Sequence, residues 1–136
     1  MIFGVGVDIV QLSRIAKALE KSQGRLVNKI LGAQEADQYH VFFARHPQRS
    51  LAYLATRFAA KEACAKALGL GLRWPMAWHA VQTLNAENGR PQLHYSEALQ
   101  TWLISRNLIL TVSLSHEREY AIAHITAWKN SDNGCK

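Results

Sequence analysis

Two acidic residues, far apart along the chain, stand where a carboxylate could take part in chemistry. Asp8 lies in a β-branched, glycine-containing segment at residues 2–10, which predicts a buried strand. Alternate side chains of a strand share a face, so Asp8 shares its face with Gly4 and Gly6, which leaves room beside its carboxylate. Glu62 lies in a helical pattern beside an otherwise apolar face, among small alanines that let another element approach closely.

Each of these residues has an ordinary explanation when it is taken alone. Asp8 could end a strand, and Glu62 has Lys66 four residues later, the spacing of a surface ion pair that contributes about 0.2–0.5 kcal/mol. Taken together, two carboxylates and a phosphate ligand are the usual way in which proteins hold Mg2+. Arg57, Lys61 and Lys66 lie on the same helix and could meet phosphate oxygens. The spacing therefore indicates a phosphate–metal site without proving one.

The elements that would position these residues follow from hydrophobic periodicity and from glycine and proline punctuation. The pattern predicts helices at about residues 14–21, 25–31, 34–45, 48–68 and 96–106, and strands at 2–10, 79–86, 91–95, 109–115 and 119–127. Ser13 is expected to cap the first helix, Gly69 to end the long alanine-rich one, and Asn88-Gly89 to form a tight hairpin turn. This order predicts a single α+β domain at residues 1–128, mainly an antiparallel sheet packed by the long helix, with a polar tail at 129–136.

The composition predicts a globular protein with a basic surface. The chain has 16 Lys and Arg against 10 Asp and Glu, a net charge of +6, which favours an acidic partner or a phosphorylated ligand. Cys64 and Cys135 do not make a disulfide framework, which favours a reducing compartment. The N-terminal apolar run is not a signal peptide, and no stretch reaches the ~18 apolar residues of a membrane span. We therefore expect a cytoplasmic protein with no membrane partner.

Two separated segments carry a resemblance to a known family. The chain resembles the phosphopantetheinyl transferases, especially their short bacterial type, in a two-part signature. Its two parts are Val5-Gly6-Val7-Asp8 and, far downstream, Phe58-Ala59-Ala60-Lys61-Glu62-Ala63-Cys64-Ala65-Lys66. Further agreement comes from Arg57-Phe58, Asn88-Gly89-Arg90-Pro91, Ser113-Leu114-Ser115-His116 and Glu119-Tyr120-Ala121. The resemblance runs from residue 1 to about residue 127 and implies one phosphopantetheinyl transferase-like half-unit.

The resemblance implies a magnesium-dependent transfer from coenzyme A. Asp8 and Glu62 would hold Mg2+, which would bridge them to the pyrophosphate of coenzyme A. A serine hydroxyl of an apo acyl carrier protein would attack the phosphorus attached to pantetheine, and adenosine 3′,5′-bisphosphate would leave. Glu62 and Lys66 would be the catalytic residues, with Lys66 steadying the pyrophosphate; the proton acceptor is either Glu62 or a metal-bound water. The holo carrier protein would support fatty acid biosynthesis.

The resemblance also implies contacts with coenzyme A from several segments. These residues are Arg57, Lys61, Lys66, Gly69, Gly71, Asn88, Gly89, Pro91 and His116. His116 alone would be an ordinary polar residue at a hairpin, and the matched motif around it favours the coenzyme A contact. The loop at residues 70–78 departs from the family pattern, because Trp74 and Trp78 have no assigned task and could pack on the core or cover coenzyme A.

A basic helical face offers a docking surface. Arg14, Lys17, Lys21 and Arg25 are spaced by three, four and four residues, so one face is positive if the helix holds. An ordinary solvated face explains the spacing equally well. The carrier proteins of this family are acidic, so the resemblance implies that the face docks the carrier protein, with Arg14 matching a family position.

The resemblance further implies a homotrimer with active sites at subunit interfaces. Larger members of the superfamily carry two similar halves, and this chain has the length of one half. The Gly69–Arg73 loop and the Asn88–Pro91 hairpin are candidates for the facing side. The alternative is a basic, non-enzymatic module that binds nucleic acid or an acidic protein. No zinc-finger, RNA-binding or helix-turn-helix signature stands out, so we expect no nucleic acid partner.

Overall fold

The computed structural model of the chain describes residues 1–131. Its helices are α1 (Leu12–Lys21), α2 (Leu26–Ile30), α3 (Ala33–Arg45), α4 (Pro47–Leu68) and α5 (Glu97–Ser105). Its strands are β1 (Ile2–Gln11), β2 (Val81–Asn85), β3 (Pro91–Tyr95), β4 (Leu108–His116) and β5 (Tyr120–Lys129). The predicted α+β class is confirmed, and every predicted element is present with its ends moved by a few residues. Among residues 1–131, no helix is both long enough and apolar enough to cross a membrane.

Two details at the chain ends differ from the predictions. Gln11 rather than Ser13 occupies the N-cap of α1, and the backbone N–H of Leu12 donates to the carbonyl of Glu119 at 2.8 Å. The turn between β4 and β5 thus holds the start of α1, where a serine cap was expected. At the other end, β5 includes Lys129, so regular structure passes the expected boundary at residue 128. The rest of the predicted tail, including Cys135, lies largely outside the described residues.

Three strands form an antiparallel sheet in the order β1-β5-β4. Asp8 of β1 pairs with Ala123 of β5, and Ala123 pairs in turn with Leu114 of β4. Strands β2 and β3 form a separate antiparallel hairpin. Its loop holds Gly89 at a left-handed φ of 82°, as the Asn88-Gly89 pair predicted. Both the sheet and the hairpin pack against α4, which is the central element of the fold.

The backbone of α4 lies directly on β1. A Cβ atom on Gly6 would overlap the carbonyl oxygen of Ala63, and one on Gly4 would overlap the carbonyl oxygen of Ala67. Glycine is therefore required at both positions by the approach of the helix backbone. The space that the two glycines leave beside Asp8 is filled by α4 and is not open to a ligand. The buried alanines of α4 let β1 approach the helix closely, as the sequence predicted.

The other face of the sheet is open to solvent. The prediction of a buried strand at residues 2–10 holds for one face only, since Val5, Val7 and Ile9 are 50%, 44% and 59% exposed. Across the sheet, Ile9 pairs with the apolar Ile122 of β5, whereas Val7 and Val5 pair with His124 and Thr126. Further exposed apolar residues on these strands are Ile2, Phe3, Ile109 and Trp128. Exposed apolar side chains grouped along one strand in this way are typical of a contact site.

A buried ion pair joins α3 to α4. Lys61 Nζ lies 2.7 Å from Glu35 Oε1, and both side chains are only 1% exposed. Lys61 also donates to the carbonyl of Val81, and Glu35 accepts a hydrogen bond from the backbone N–H of Thr83 at 2.9 Å. Burial lowers the pKa of Lys61, and the carboxylate of Glu35 opposes that shift. One charged cluster therefore holds α3, α4 and β2 together.

Replacing Lys61 with methionine is expected to lower the free energy of unfolding by about 3–5 kcal/mol, because Glu35 would be left as a buried charge without its partner. Lys66→Met is the matched control on the same helix, since Lys66 is 54% exposed and pairs with Asp8 near the surface. The control is expected to cost at most about 1 kcal/mol. Chemical denaturation followed by circular dichroism measures both losses. Equal losses in the two variants would contradict the structural role given to Lys61.

Candidate active site

Asp8 and Lys66 meet where β1 passes α4. Lys66 Nζ lies 3.2 Å from Asp8 Oδ1 and donates to the carbonyl of Val7 at 2.9 Å. The Asp8 side chain is 17% exposed and that of Lys66 is 54% exposed, so the pair lies at the surface. The register places Asp8 on the face of β1 that meets the helix, in line with Gly4 and Gly6. The carboxylate and the ammonium are thus both within reach of a ligand from solvent.

Glu62 lies on the same flank of α4 as Lys66. The two residues are four apart, so they are neighbours on the helix surface. Helix side chains lean toward the N-terminus, which directs Lys66 toward the turn that carries Glu62. Glu62 is half-buried. Asp8 and Lys66 therefore meet at the surface, and the helical spacing places Glu62 on the same side of α4 as Lys66.

The chemistry of this set fits a magnesium ion. Among residues 1–131, no group of three or more His, Cys, Asp and Glu residues is arranged to hold a metal on its own. Mg2+ does not need such a cage, because it is commonly bound by one or two carboxylates, with phosphate oxygens and waters completing the octahedron. Asp8 and Glu62 supply hard oxygen donors, and the Asp8 side chain is partly exposed to solvent.

A second set of predicted residues lines a cleft of about 310 Å³ on another side of α4. The cleft is lined by Phe42, Arg49, Tyr53, Thr56, Arg57, Asn85, Gly89, Pro91, Leu114 and His116. Arg57, Gly89, Pro91 and His116 were expected to contact coenzyme A, and the structure brings these four together. Two arginines and a histidine give the cleft the character of an anion site.

Arg57 is the best-anchored cation in the cleft. Its side chain is buried, with Nε donating to the carbonyl of Thr83 at 3.1 Å and Nη2 donating to Asn85 Oδ1 at 3.2 Å. Nη1 donates to Thr56 Oγ1, and the guanidinium carbon lies 4.0 Å from the centre of the Tyr53 ring. Burial lowers the pKa of Arg57 from its ordinary value, with Tyr53 and Glu35 opposing the shift, and an arginine so placed keeps its proton.

Lys61 does not belong to either set. It is 1% exposed and is used by Glu35 and the carbonyl of Val81, so the expectation that it contacts coenzyme A is wrong for this arrangement. The physical reason is its position one residue before Glu62, which turns it about 100° around the helix, toward α3. Gly69 and Gly71 lie beyond the Lys66 end of α4 with left-handed φ values of 72° and 60°. Gly69 ends the helix as predicted, and both glycines are exposed.

The hairpin and the end of β4 complete the cleft. Asn88 Oδ1 accepts a hydrogen bond from the backbone N–H of Arg90 at 2.9 Å, so this side chain shapes the loop that carries Gly89. His116 is the last residue of β4, and it also lines a shallow depression with Ile9 and Tyr120. His116 therefore stands at the border between the cleft and the open face of the sheet.

The carboxylate set and the arginine cleft lie on different flanks of α4. Arg57 and Glu62 are about 140° apart around the helix axis, as their five-residue separation requires. Their contacts agree, because Lys66 beside Glu62 reaches β1 while Arg57 reaches β2. One chain thus carries both halves of the predicted site without bringing them into one pocket.

The predicted basic face is largely present on α1. Arg14, Lys17 and Lys21 are exposed on this helix. Arg25 is also exposed, but it follows a turn in which Gln23 and Gly24 have left-handed φ values of 56° and 85°. The stripe is therefore a helical row of three residues with Arg25 on the next segment, because α1 ends earlier than an unbroken helix would.

The two unassigned tryptophans have different surroundings. Trp78 stacks on Phe58, with ring centres 5.4 Å apart, and is partly buried against the core. Phe58 is one turn before Glu62, so this aromatic pair borders the carboxylate set. Trp74 is 79% exposed. Trp78 thus packs on the core, one of the two expected uses.

Comparison with known proteins identifies the family. Residues 4–125 match the family described as the 4′-phosphopantetheinyl transferase superfamily. This chain belongs to that superfamily. The resemblance carried by the segments around Asp8 and Glu62 is therefore confirmed.

Curated relatives and solved structures agree with this membership. The holo-acyl-carrier-protein synthase of Paraburkholderia phymatum is 49% identical over 126 residues, covering 93% of this chain and 93% of the relative. That of Ralstonia nicotianae is 47% identical, covering 93% and 91%. The crystal structure of the Neisseria meningitidis enzyme has a TM-score of 0.85 at 34% identity, covering 95% of this chain and 100% of that one. A Bacillus anthracis holo-acyl-carrier-protein synthase in complex with CoA (3′,5′-ADP) has a TM-score of 0.77 at 31% identity, covering 93% and 96%.

Sequence reasoning missed several residues of the cleft in this phosphopantetheinyl transferase. Arg49 lies over the ring of Phe42 at 4.4 Å, and Phe42 packs edge-on against Tyr53. Arg49, Tyr53 and Arg57 recur every four residues along α4, so their common face was readable from helical spacing. Asn85 of β2 carried no comparable signal, because only the hairpin's packing brings it to Arg57.

Proposed function

We propose that this chain transfers the 4′-phosphopantetheine group of coenzyme A to a serine of an apo acyl carrier protein. The products are the holo carrier protein and adenosine 3′,5′-bisphosphate. The observation that carries the proposal is the meeting of the two signature segments, with Lys66 of α4 reaching Asp8 of β1, in a chain that belongs to the superfamily. The names of the closely similar relatives support the same activity.

Asp8 and Glu62 would hold Mg2+ against the pyrophosphate of coenzyme A. The ion would supply charge neutralisation on the phosphoryl oxygens and a template for in-line attack. Lys66 contributes a solvent-accessible cation at the same place, since its side chain is half-exposed and its Nζ already lies beside the Asp8 carboxylate. Phosphoryl-type transfer depends mainly on positioning and charge stabilisation, which these three side chains provide.

The reaction keeps its atoms in balance with few protein groups. The serine oxygen of the carrier protein forms a bond to the phosphorus attached to pantetheine, and the bond from that phosphorus to the bridging oxygen breaks. Adenosine 3′,5′-bisphosphate leaves with this oxygen, and the proton of the serine hydroxyl would pass to Glu62 or to a metal-bound water. Lys66 stabilises the negative charge that builds up on the leaving side. Gly69 and Gly71, exposed just beyond Lys66, leave the backbone free to approach the pyrophosphate.

The arginine cleft would bind the adenosine end of the substrate. Coenzyme A carries a pyrophosphate, which must lie at the reacting centre, and a separate phosphate on the ribose 3′-oxygen. Arg57, Arg49 and His116 provide a second anion site away from the carboxylates, which suits this ribose phosphate. Gly89 and Pro91 form the hairpin wall of the cleft, with Asn88 shaping the loop.

Two copies of the chain are needed to build one complete site. The carboxylate set and the arginine cleft lie on different flanks of α4, so one coenzyme A molecule would draw on one half from each of two protomers. The open sheet face, with Val5, Val7 and Ile9 exposed, offers the apolar contact, and His116 borders it. Head-to-tail contacts that close as a homotrimer would give three equivalent sites.

The basic row on α1 would dock the carrier protein. Arg14, Lys17 and Lys21 are exposed and of one sign, and Arg25 extends the positive surface beyond the helix end. Acidic carrier proteins match this surface, and the same charges would speed encounter. The proposal places the protein in the cytoplasm, as the supplier of holo carrier protein for fatty acid biosynthesis. Superfamily membership leaves the nucleic acid alternative without an observation in its favour.

Mass spectrometry tests the function directly. The protein is mixed with an apo acyl carrier protein, coenzyme A and Mg2+, and the carrier protein is expected to gain one phosphopantetheine on a serine. Adenosine 3′,5′-bisphosphate should appear in equal amount. An unmodified carrier protein under conditions where a relative modifies it would refute the proposal.

Asp8→Ala or Glu62→Ala is expected to lower turnover at least ~100-fold, the scale of losing a key electrostatic stabiliser. Glu97→Ala is the control, since this exposed acid lies in the first turn of α5. Initial rates are measured over a titration of Mg2+, where both site variants should also need more metal for half-maximal rate. Wild-type rates in either variant would remove that residue from the site.

Placing a charge on the open sheet face should break the assembly. Val5→Glu is expected to convert trimers to monomers and to lower activity at least tenfold, because a buried unpaired carboxylate opposes association. Ile104→Glu, which changes an exposed residue of α5, is the control. Light scattering coupled to size-exclusion chromatography measures the mass. A fully active monomer would defeat the shared site.

Co-expression of two inactive variants tests which halves each protomer contributes. Lys66→Ala damages the carboxylate set and Arg57→Ala damages the cleft, so random mixing should restore about a quarter of the sites to full composition. The two variants, assayed separately, set the baseline. Activity of the mixture no higher than that baseline would place both halves of a site in one protomer.

Charge reversal on α1 should weaken carrier-protein binding. Lys17→Glu combined with Lys21→Glu is expected to raise KM for the carrier protein about tenfold at low salt, with the difference shrinking as ionic strength rises. Arg106→Glu is the control outside α1. Steady-state kinetics at several salt concentrations provide the measurement. A carrier-protein KM that is indifferent to salt in the wild type would refute docking on this surface.

A further inference from the structure

Asn85 holds Arg57 in the cleft from the opposite side to the helix. Its Oδ1 accepts a hydrogen bond from Arg57 Nη2 at 3.2 Å, and it is the last residue of β2 before the loop that carries Gly89. The carbonyl of Thr83, two residues earlier on the strand, accepts from Arg57 Nε at 3.1 Å. The end of β2 thus accepts hydrogen bonds from two edges of the guanidinium.

The ring of Tyr53 supports the same guanidinium from α4. The Arg57 carbon lies 4.0 Å from the ring centre, the distance of a cation stacked on an aromatic face. Burial raises the pKa of Tyr53 to about 12, so the ring stays a neutral phenol at physiological pH. With the plane set by the ring and the rotation set by the hydrogen bonds, the guanidinium has one orientation.

This orientation has a use, because Arg57 shares the cleft with Arg49 and His116. Cations in one small cleft repel each other, and a free side chain would swing away when the cleft is empty. The hydrogen bonds to Thr83, Asn85 and Thr56 use three of the five N–H groups of a guanidinium, so donors remain for an anion. A guanidinium that is held in place loses less conformational entropy when it binds a phosphate than a mobile guanidinium does.

We propose that Asn85 is a positioning residue that, with the Tyr53 ring, aims Arg57 at the ribose 3′-phosphate of coenzyme A. The inference rests on the proposed function and deepens it. The turnover step takes place at the other flank of α4, so Asn85 acts on substrate affinity and not on the chemical step. The positioning of Arg57 also makes the cleft selective for coenzyme A over dephospho-coenzyme A, which lacks the 3′-phosphate.

The test compares the two substrates in the Asn85→Ala variant. Its KM for coenzyme A is expected to rise about tenfold, the scale of one hydrogen bond to a charged group, while kcat stays near the wild-type value. Its KM for dephospho-coenzyme A is expected to change less than about twofold, since Arg57 then has no phosphate to meet. Gln92→Ala is the matched control, another exposed amide on the same hairpin that faces away from the cleft lining.

A double-mutant cycle with Arg57→Ala separates positioning from direct contact. If Asn85 acts through Arg57, the double variant binds coenzyme A no more weakly than Arg57→Ala alone. Additive losses, an unchanged KM for coenzyme A, or equal rises for the two substrates would each overturn the proposal. Melting temperatures of all variants show that they are folded. The wild-type enzyme is assayed in parallel for modification of the carrier protein. If the wild type modifies it, the proposed function holds, and a contrary result in the variants concerns only the role of Asn85.

Discussion

The contact of the α4 backbone with β1 is the constraint on which the rest of the structure depends. Gly4 and Gly6 leave no side chain between strand and helix, so the carbonyls of Ala63 and Ala67 lie directly on the strand. A helix held at this distance brings Lys66 within 3.2 Å of Asp8. A wider spacing, as ordinary side chains would impose, would separate the strand acid from the helix that carries Glu62. The small residues of both segments therefore set the geometry of the proposed active site.

The same helix serves two different purposes on its two flanks. Lys61 and Glu62 are adjacent in sequence, yet one is buried against Glu35 and the other lies on the flank that meets solvent. The turn of about 100° per residue separates their environments. The buried pair makes α3, α4 and β2 one rigid unit, and this unit fixes the hairpin that holds Arg57. The buried pair on one flank thus supports the position of Arg57 on the flank beside it.

In the proposed mechanism, the division of the site between two flanks of α4 would give the association of protomers a chemical role. A long substrate with phosphates at two places can be bound by two separate cationic centres, and in this chain those centres do not face one pocket. The open face of the sheet exposes the apolar side chains of β1, and His116 lies where this face borders the cleft. In the proposed homotrimer, one association would cover that face and complete the site, which would link activity to quaternary structure.

The sequence by itself determined the pieces whose signals are local. Alanine-rich periodicity, the glycine after it and the Asn88-Gly89 pair located the long helix, its end and the hairpin, and the two signature segments located Asp8, Glu62 and Lys66. Tertiary structure decided what depends on distant partners. Lys61 is bound by a carboxylate 26 residues away, and Asn85 reaches an arginine 28 residues away, separations at which residue type and spacing carry no information about contact. Whether a charged side chain on α4 meets solvent or a buried partner is set by which element packs on its flank, and packing is a property of the whole fold.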